Sequence, residues 1–404
     1  MTITSPAHKT KKTIFERNPK ITILSVITIS ALILDVVLTN IFSLYTAVKY
    51  DRPNILTSPP VLGVKHEIYH HDLMKNGLTE QNFKDLHGEK VQLHTNSLGF
   101  KDKSSRTVSL LPTRDIKKRI VFIGDSFTNG FALEYEDTFV GIIDKELNKR
   151  SIEVLNAGVA SYSPIIYWRK IKYLIEDVGL RFDEVVVYID ISDAQDEASY
   201  YELSDDGNER VVYRKGQKRY GRQSRRDYFR TLLFKNSTFM YHTLNLLHDS
   251  LYLSQKEKLI EQQMKVETGK WHTFISPDYT RDKWTVDKNI YNAYGKNGIE
   301  LMVERMNRLL NLLRDNSIDL TIAVYPWVSQ VWFEDLSSMQ VDIWERWAKD
   351  NNVRFINHFP DFVKIGSSKS HKLETLQKFY FPHDVHFNRE GNRALARRFI
   401  KAYS

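Results

Sequence analysis

Three polar residues have the types and settings needed for acyl-transfer chemistry. Ser126 lies in "IVFIGDSFTNG", residues 120–130, where four apolar residues run straight into Gly-Asp-Ser. A strand stopping at a tight turn presents that turn's side chains at the end of a sheet. A serine hydroxyl alone is a poor nucleophile. It needs a base, a group to orient the base, and donors for the oxyanion. Near the C-terminus, "FPHDVHFNREG" places Asp384 and His386 two residues apart, with Asn388 positioned to cap the helix that follows. Asp384 would hold the His386 tautomer, and His386 would take the Ser126 proton. Gly158 in "LNAGVASYS" leaves a backbone N–H open to approach by substrate. "DISD", residues 190–193, supplies Ser192 and Asp193 as candidates for the same pocket, with Asp125, Asn156 and Trp327 as further lining candidates.

Each of these has a plainer reading when taken alone. Gly-Asp-Ser is a common turn sequence, and His386 alone reads as a cap or a surface histidine. "DISDAQDE" alone reads as a solvated acidic loop. Their placement at successive strand ends, in the order Ser…Asp…His, favours chemistry. His70 and His71 beside Asp72 are adjacent, so they point apart, and no spaced ligand pattern follows. No metal site and no cofactor are expected. The chain has no cysteine, which excludes thiolate catalysis, Cys-ligated metal and disulfides.

The positioning elements alternate. "RIVFIGDS", "IEVLNAG", "EVVVYIDIS", "IDLTIAVYP" and "VRFIN" read as strands. "EDTFVGIIDKELNKR", "YWRKIKYLIEDVG", "GIELMVERMNRLLNLLRDN", "VDIWERWAKDN" and "NREGNRALARRFIKAY" read as helices. Strands alternating with helices predict a doubly wound, mostly parallel α/β sheet, with sites outside the carboxyl ends of the strands. Residues 194–296 break the rhythm and read as an insertion.

The chain of 404 residues is 42% hydrophobic and 27% charged, with a net charge of +8. That is a globular composition, long enough for a large core. The basic balance fits nucleic acid, an anionic membrane surface or an acidic polymer. The N-terminus narrows the choice. "ITILSVITISALILDVVLTNIFS", residues 21–43, is almost wholly apolar and long enough for a bilayer. Lys9, Lys11, Lys12, Arg17 and Lys20 precede it, which predicts a cytoplasmic N-terminus and a periplasmic or extracellular remainder. No small-residue cleavage site is present, which favours an anchor over a signal peptide. Asp35 inside the run calls for a partner. Nucleic acid is then not expected. The organisation reads as a basic N-terminus (1–20), a transmembrane anchor (21–43), a stalk and lead-in (44–117) and an α/β domain (118–404).

Together, "FIGDSFTNG", "LNAGVASYSP", "VVVYIDISDAQDE" and "DVHFNREGNRALA" resemble the SGNH (GDSL-like) hydrolase superfamily, in particular its membrane-anchored bacterial members. The resemblance implies Ser126 as nucleophile and first oxyanion donor, Gly158 as second donor, and Asp384 with His386 as the remaining pair. Two departures stand out. Ser192 occupies the place of the usual third-block Asn, the third donor. The last block reads Asp-x-His rather than Asp-x-x-His, leaving His383 in the usual Asp place; this form resembles that of envelope polysaccharide O-acetyltransferases.

The expected activity is ester hydrolysis or O-acyl transfer through an acyl-serine, on an acylated envelope glycan or lipid. A membrane-bound O-acyltransferase is a candidate partner. The alternative is an anchored binding or assembly module with a weakened site, motivated by Ser192. "RKGQKRYGRQSRRDYFR", Arg214 to Arg230, reads as a surface for an anionic polymer or lipid head groups, or as a solvated loop.

Overall fold

The computed structural model describes residues 17–49, 62–83, 86, 89–214, 237 and 268–403. The chain divides into two compact units, Met1–Ser58 with Gly221–Lys258, and Pro59–Tyr220 with Leu259–Ser404. In the first unit, α1 (Pro19–Lys49) contains a stretch, Pro19–Ile41, long and apolar enough to cross a membrane. None of that stretch is buried. Asp35, its one carboxylate, accepts hydrogen bonds from Thr39, one turn on, and from Ser237 of the insertion. Those bonds satisfy a polar group that would otherwise be costly among apolar side chains.

The second unit is organised by a sheet. Its strands and those of two hairpins, in chain order, are β1 (Gly63–His66), β2 (His70–Leu73), β3 (Leu78–Phe83), β4 (Glu89–Thr95), β5 (Lys101–Asp102), β6 (Lys118–Ile123), β7 (Ile152–Asn156), β8 (Glu184–Ile189), β9 (Tyr201–Leu203), β10 (Val211–Tyr213), β11 (Asp319–Val324) and β12 (Arg354–Asn357). Eight form one sheet in the order β12-β11-β8-β6-β7-β5-β4-β3. Strands β6, β7, β8, β11 and β12 are parallel, and among themselves they run 2-1-3-4-5 across the sheet. The winding reverses between β6 and β8, the position where doubly wound sheets place their ligands. Helices α2 (Ser126–Asn129), α3 (Phe139–Asn148), α4 (Pro164–Glu176), α5 (Asp193–Ser199), α6 (Lys296–Asp315), α7 (Met339–Asp350) and α8 (Arg389–Tyr403) follow the strands. The reasons are those of the sequence. β8 is buried at every position, as a strand covered on both faces must be. α6 buries one face through Met302, Met306, Leu309, Leu310 and Leu313.

The lead-in differs from the expected stalk. Strands β3, β4 and β5 extend the sheet antiparallel beyond β7. Residues of β3 and β4 are only partly buried, and β5 is two buried polar residues, Lys101 and Asp102, so no continuous apolar run announces them. The β1–β2 hairpin is tied down by a buried ion pair, Asp72 to Lys170 of α4 at 2.8 Å. Lys170 also donates to the Ala157 carbonyl, beside Gly158.

Candidate active site

Ser126 is presented by a turn that its neighbours force. β6 ends at Ile123, just before Gly124, and the Asp125 side chain accepts the Phe127 N–H at 2.9 Å, capping α2. Gly130, at φ 77°, closes α2 after one turn, in a conformation that favours glycine. Ser126 is therefore the first residue of a short helix at the winding reversal. Its backbone N–H has no intrahelical partner.

His386 reaches this turn from the loop before α8. Its Nε2 lies 2.7 Å from Ser126 Oγ, and its Nδ1 lies 2.5 Å from Asp384 Oδ1. An ionised carboxylate only accepts, so Nδ1 carries the proton and Nε2 is left to accept the Ser126 hydroxyl. The same Asp384 oxygen accepts the His386 N–H at 2.8 Å, which makes the Asp-x-His spacing a local turn. Asn388 Oδ1 accepts the N–H groups of Glu390 and Gly391, anchoring the loop to α8. The imidazole sits between Phe127 and Phe131, with centroids 4.6 and 4.4 Å away. Burial works to raise the Asp384 pKa. The hydrogen bond and charge of His386, with the backbone N–H groups of His386 and Val385, outweigh it and hold the group below the usual range. His383 is exposed, at φ 59°, with no hydrogen bond to the triad.

Beneath the turn lies a buried polar layer. The Tyr325 hydroxyl reaches Asp190 at 2.7 Å and Asp125 at 3.2 Å, and Trp327 Nε1 donates to Asp190 at 2.6 Å. Burial and the Asp190 charge push the Asp125 pKa well up, against Phe127 N–H, Tyr325 and the Arg281 guanidinium. The Ser126 hydroxyl also lies 3.3 Å from Asp125 Oδ2, but its contact with His386 Nε2 at 2.7 Å is the shorter.

The remaining candidates are placed differently from expectation. The Gly158 N–H donates to Asn156 Oδ1 at 3.1 Å instead of standing open. Asn156 also donates to the Thr128 carbonyl, so it knits the two loops together rather than lining a pocket. A side chain at 158 would meet the Asn129 backbone nitrogen at 2.9 Å, so close loop packing requires this glycine. Ser192 is buried, and its Oγ takes a hydrogen bond from Arg281 at 3.2 Å. Asp193 is buried, with the Tyr167 hydroxyl at 2.9 Å. Burial, and then the charges of Asp190 and Asp125, raise its pKa well above the usual range. Trp327 is buried too, packed against Phe127. Asp193 Oδ2 and Trp327 Nε1 are bonded inside the core, so both residues are supports under the site; Asp193 Oδ1 is buried without a hydrogen-bond partner among the described residues.

The acidic run is not solvated. All of Asp193–Ser199 is buried. Glu197 accepts the Ser163 hydroxyl and the Ile165 N–H at 2.7 Å each, which serves the start of α4. Asp196 pairs with Arg281 at 2.9 Å. Arg281 belongs to a strap over the β8 end. Trp284 Nε1 donates to the Ile191 carbonyl, and the Tyr294 hydroxyl donates to the carbonyls of Thr280 and Arg281. Sequence reasoning missed this strap. Its only signal is the "YTRDKW" cluster inside the insertion.

His71 is turned to the Ala160 carbonyl at 2.9 Å and to His70 at 2.8 Å. Among the described residues no group of three or more His, Asp or Glu is placed to hold a metal. The basic segment after Arg214 lies outside the described residues. Arg214 itself donates to the carbonyls of Glu197 and Tyr201.

No family model matches the chain, and no curated protein matches it. Solved structures do. A lipolytic protein of the G-D-S-L family from Desulfitobacterium hafniense DCB-2 is 12% identical, with a TM-score of 0.35, over 71% of this chain and 99% of that one. Psychrotrophic esterase EstA from Pseudoalteromonas sp. is 10% identical, with a TM-score of 0.34, over 71% and 97%. Axe2, an acetylxylan esterase from Geobacillus stearothermophilus, is 13% identical, with a TM-score of 0.34, over 71% and 94%.

Proposed function

We propose that the chain is a serine-dependent acyl-ester hydrolase or O-acyltransferase of SGNH type. The observation that carries this is the continuous hydrogen-bonded series Ser126–His386–Asp384 at the winding reversal of the sheet. Ser126 Oγ attacks the acyl carbon as its proton passes to His386 Nε2. The Asp384 carboxylate stabilises the imidazolium. The Ser126 N–H faces the developing oxyanion. Collapse breaks the ester C–O bond, and His386 returns the proton to the leaving alcohol. Water, or the hydroxyl of an acceptor, then gives its proton to His386 and takes the acyl group from Ser126, and His386 Nε2 returns that proton to the Ser126 oxygen as it leaves.

The apolar α1 supports an anchor, and the cations before it support a cytoplasmic N-terminus. On that reading the site lies outside the cytoplasm, and the substrate is an acylated envelope glycan or lipid. A membrane-bound O-acyltransferase as partner would favour transfer over hydrolysis. The second reading, an anchored binding module with a weakened site, draws on one observation. The Gly158 N–H and the Ser192 hydroxyl are both engaged within the protein. Mass spectrometry of envelope glycans from cells with wild-type chain or Ser126→Ala tests the proposal. Acyl content that differs between the two supports it, and identical profiles count against it.

A further inference from the structure

A cavity of about 930 Å³ has a lining that includes none of the triad residues. Its volume is that of a ligand site. Ala160 and Ser161, just past Gly158, form one wall, and the β9–β10 hairpin forms the other with Tyr201 and Tyr213. These two rings stack at 5.8 Å with 15° between planes, and Tyr213 is 48% exposed. Arg281 lines the cavity and is the link to the site, since its Nη2 bonds Ser192 at the β8 end. The same Nη2 bonds Asp196. Arg281 Nε and Nη1 have no hydrogen-bond partner among the described residues, and the side chain is 28% exposed. Three of its five N–H donors are therefore left for a ligand. The carboxylate that fixes Arg281 is spent on it, and Tyr294 fixes the backbone from behind. Burial lowers the pKa of both His66 and His71 on the cavity wall, so they stay neutral at pH 7. Lys65 and Glu67 at the edge offset one another.

A pre-positioned guanidinium whose Nε–H and Nη1 donors are unspent can give single charge-assisted hydrogen bonds to a carboxylate or phosphate. Aromatic rings beside a few fixed polar groups match the apolar face of a sugar ring. We propose that this cavity binds a saccharide unit carrying an anionic group, held by Arg281, and so selects the glycan whose ester reaches Ser126. The proposal rests on the acyl-transfer reading of Ser126.

The test is calorimetric titration of full-length Ser126→Ala chain in detergent micelles. The probes are oligogalacturonate, a neutral xylooligosaccharide of equal length, and glycerol phosphate. Oligogalacturonate is expected to bind, about tenfold or more tighter than the neutral oligomer, because a charge-assisted hydrogen bond is lost with the latter. Adding Arg281→Gln should remove that preference. Tyr213→Ala, on an exposed rim residue, should weaken both oligosaccharides several-fold and serves if Arg281→Gln fails to fold. Equal binding of charged and neutral oligomers overturns the role of Arg281. Binding of glycerol phosphate without oligogalacturonate overturns the saccharide assignment. Wild-type chain that turns over an aryl acetate but binds no oligosaccharide fails the cavity alone. Wild-type chain that binds oligogalacturonate yet turns over no ester fails the acyl-transfer reading alone.

Discussion

The loop carrying His386 and the run Asp190–Glu197 are both rich in ionisable groups at the carboxyl ends of the sheet, and they use them in opposite ways. In the His386 loop, one carboxylate is half-buried and holds an imidazole that points at a hydroxyl. In the acidic run, the carboxylates are buried and bonded to tyrosines, a tryptophan, a serine, an arginine and backbone N–H groups. The first arrangement leaves a proton free to move. The second fixes the floor on which that movement happens. Charge density alone does not mark chemistry; an unspent acceptor next to a nucleophile does.

The largest contrast should come from Ser126→Ala. Removal of one partly exposed hydroxyl should cut aryl-ester turnover by about 10⁴-fold or more while thermal unfolding stays near wild type. Turnover near wild type in that variant would remove Ser126 from the mechanism. Next comes Asp384→Asn, with an expected loss of up to ~10⁴-fold, against a change of only a few-fold in His383→Ala. Assayed across pH on one ester, the reverse ranking would mean that another carboxylate orients His386. Asp190 and Asp193 are poor substitutes, since both are bonded elsewhere.

Glu197→Ala should show the other behaviour. It strands the Ser163 hydroxyl and the Ile165 N–H, at a cost of roughly 1–3 kcal/mol in stability. Turnover per folded molecule should be unchanged. A large loss of turnover with unchanged stability would place the acidic run in the chemistry.

The smallest effect is in pH dependence, where the two regions should differ in sign. Burial raises the Glu197 pKa to about 7, against its hydrogen bonds, and the Asp196 pKa to about 6, against the Arg281 charge. The folded state then binds more protons than the unfolded chain from about pH 4 upward. These groups take stability away as pH rises from there toward 7. Asp384 lies below its ordinary 3.8, so its contribution is present above that value and fades as pH falls through the folded pKa. Urea midpoints for wild type and Glu197→Gln at pH 4.5 and 7 read the first effect. The wild type should lose more stability than the variant over that interval, and equal losses would contradict the assignment.

The parallel strands were legible because burial on both faces demands continuous apolar runs, as in β6 and β8. Ser126, Asp384 and His386 were legible because each stands at a strand or helix boundary that the pattern marks. The antiparallel strands β3 and β4 were not, since their alternation is broken by polar residues on partly exposed faces, and β5 is only two buried polar residues. Burial of "DAQDE" was not legible either. Its partners, Tyr167, Ser163 and Arg281, lie 26, 34 and 85 residues away. Nor was the role of Asn156, whose amide spends the Gly158 N–H that the loop glycine suggested was open.

Everything rests on whether His386 activates Ser126. The direct measurement is the mass of the full-length chain, and of its peptides, after exposure to a fluorophosphonate. One adduct is expected, on the peptide bearing Ser126, forming rapidly in wild type and at least 10²-fold more slowly in His386→Ala. No adduct, an adduct on another serine, or equal rates in the two proteins would contradict the triad.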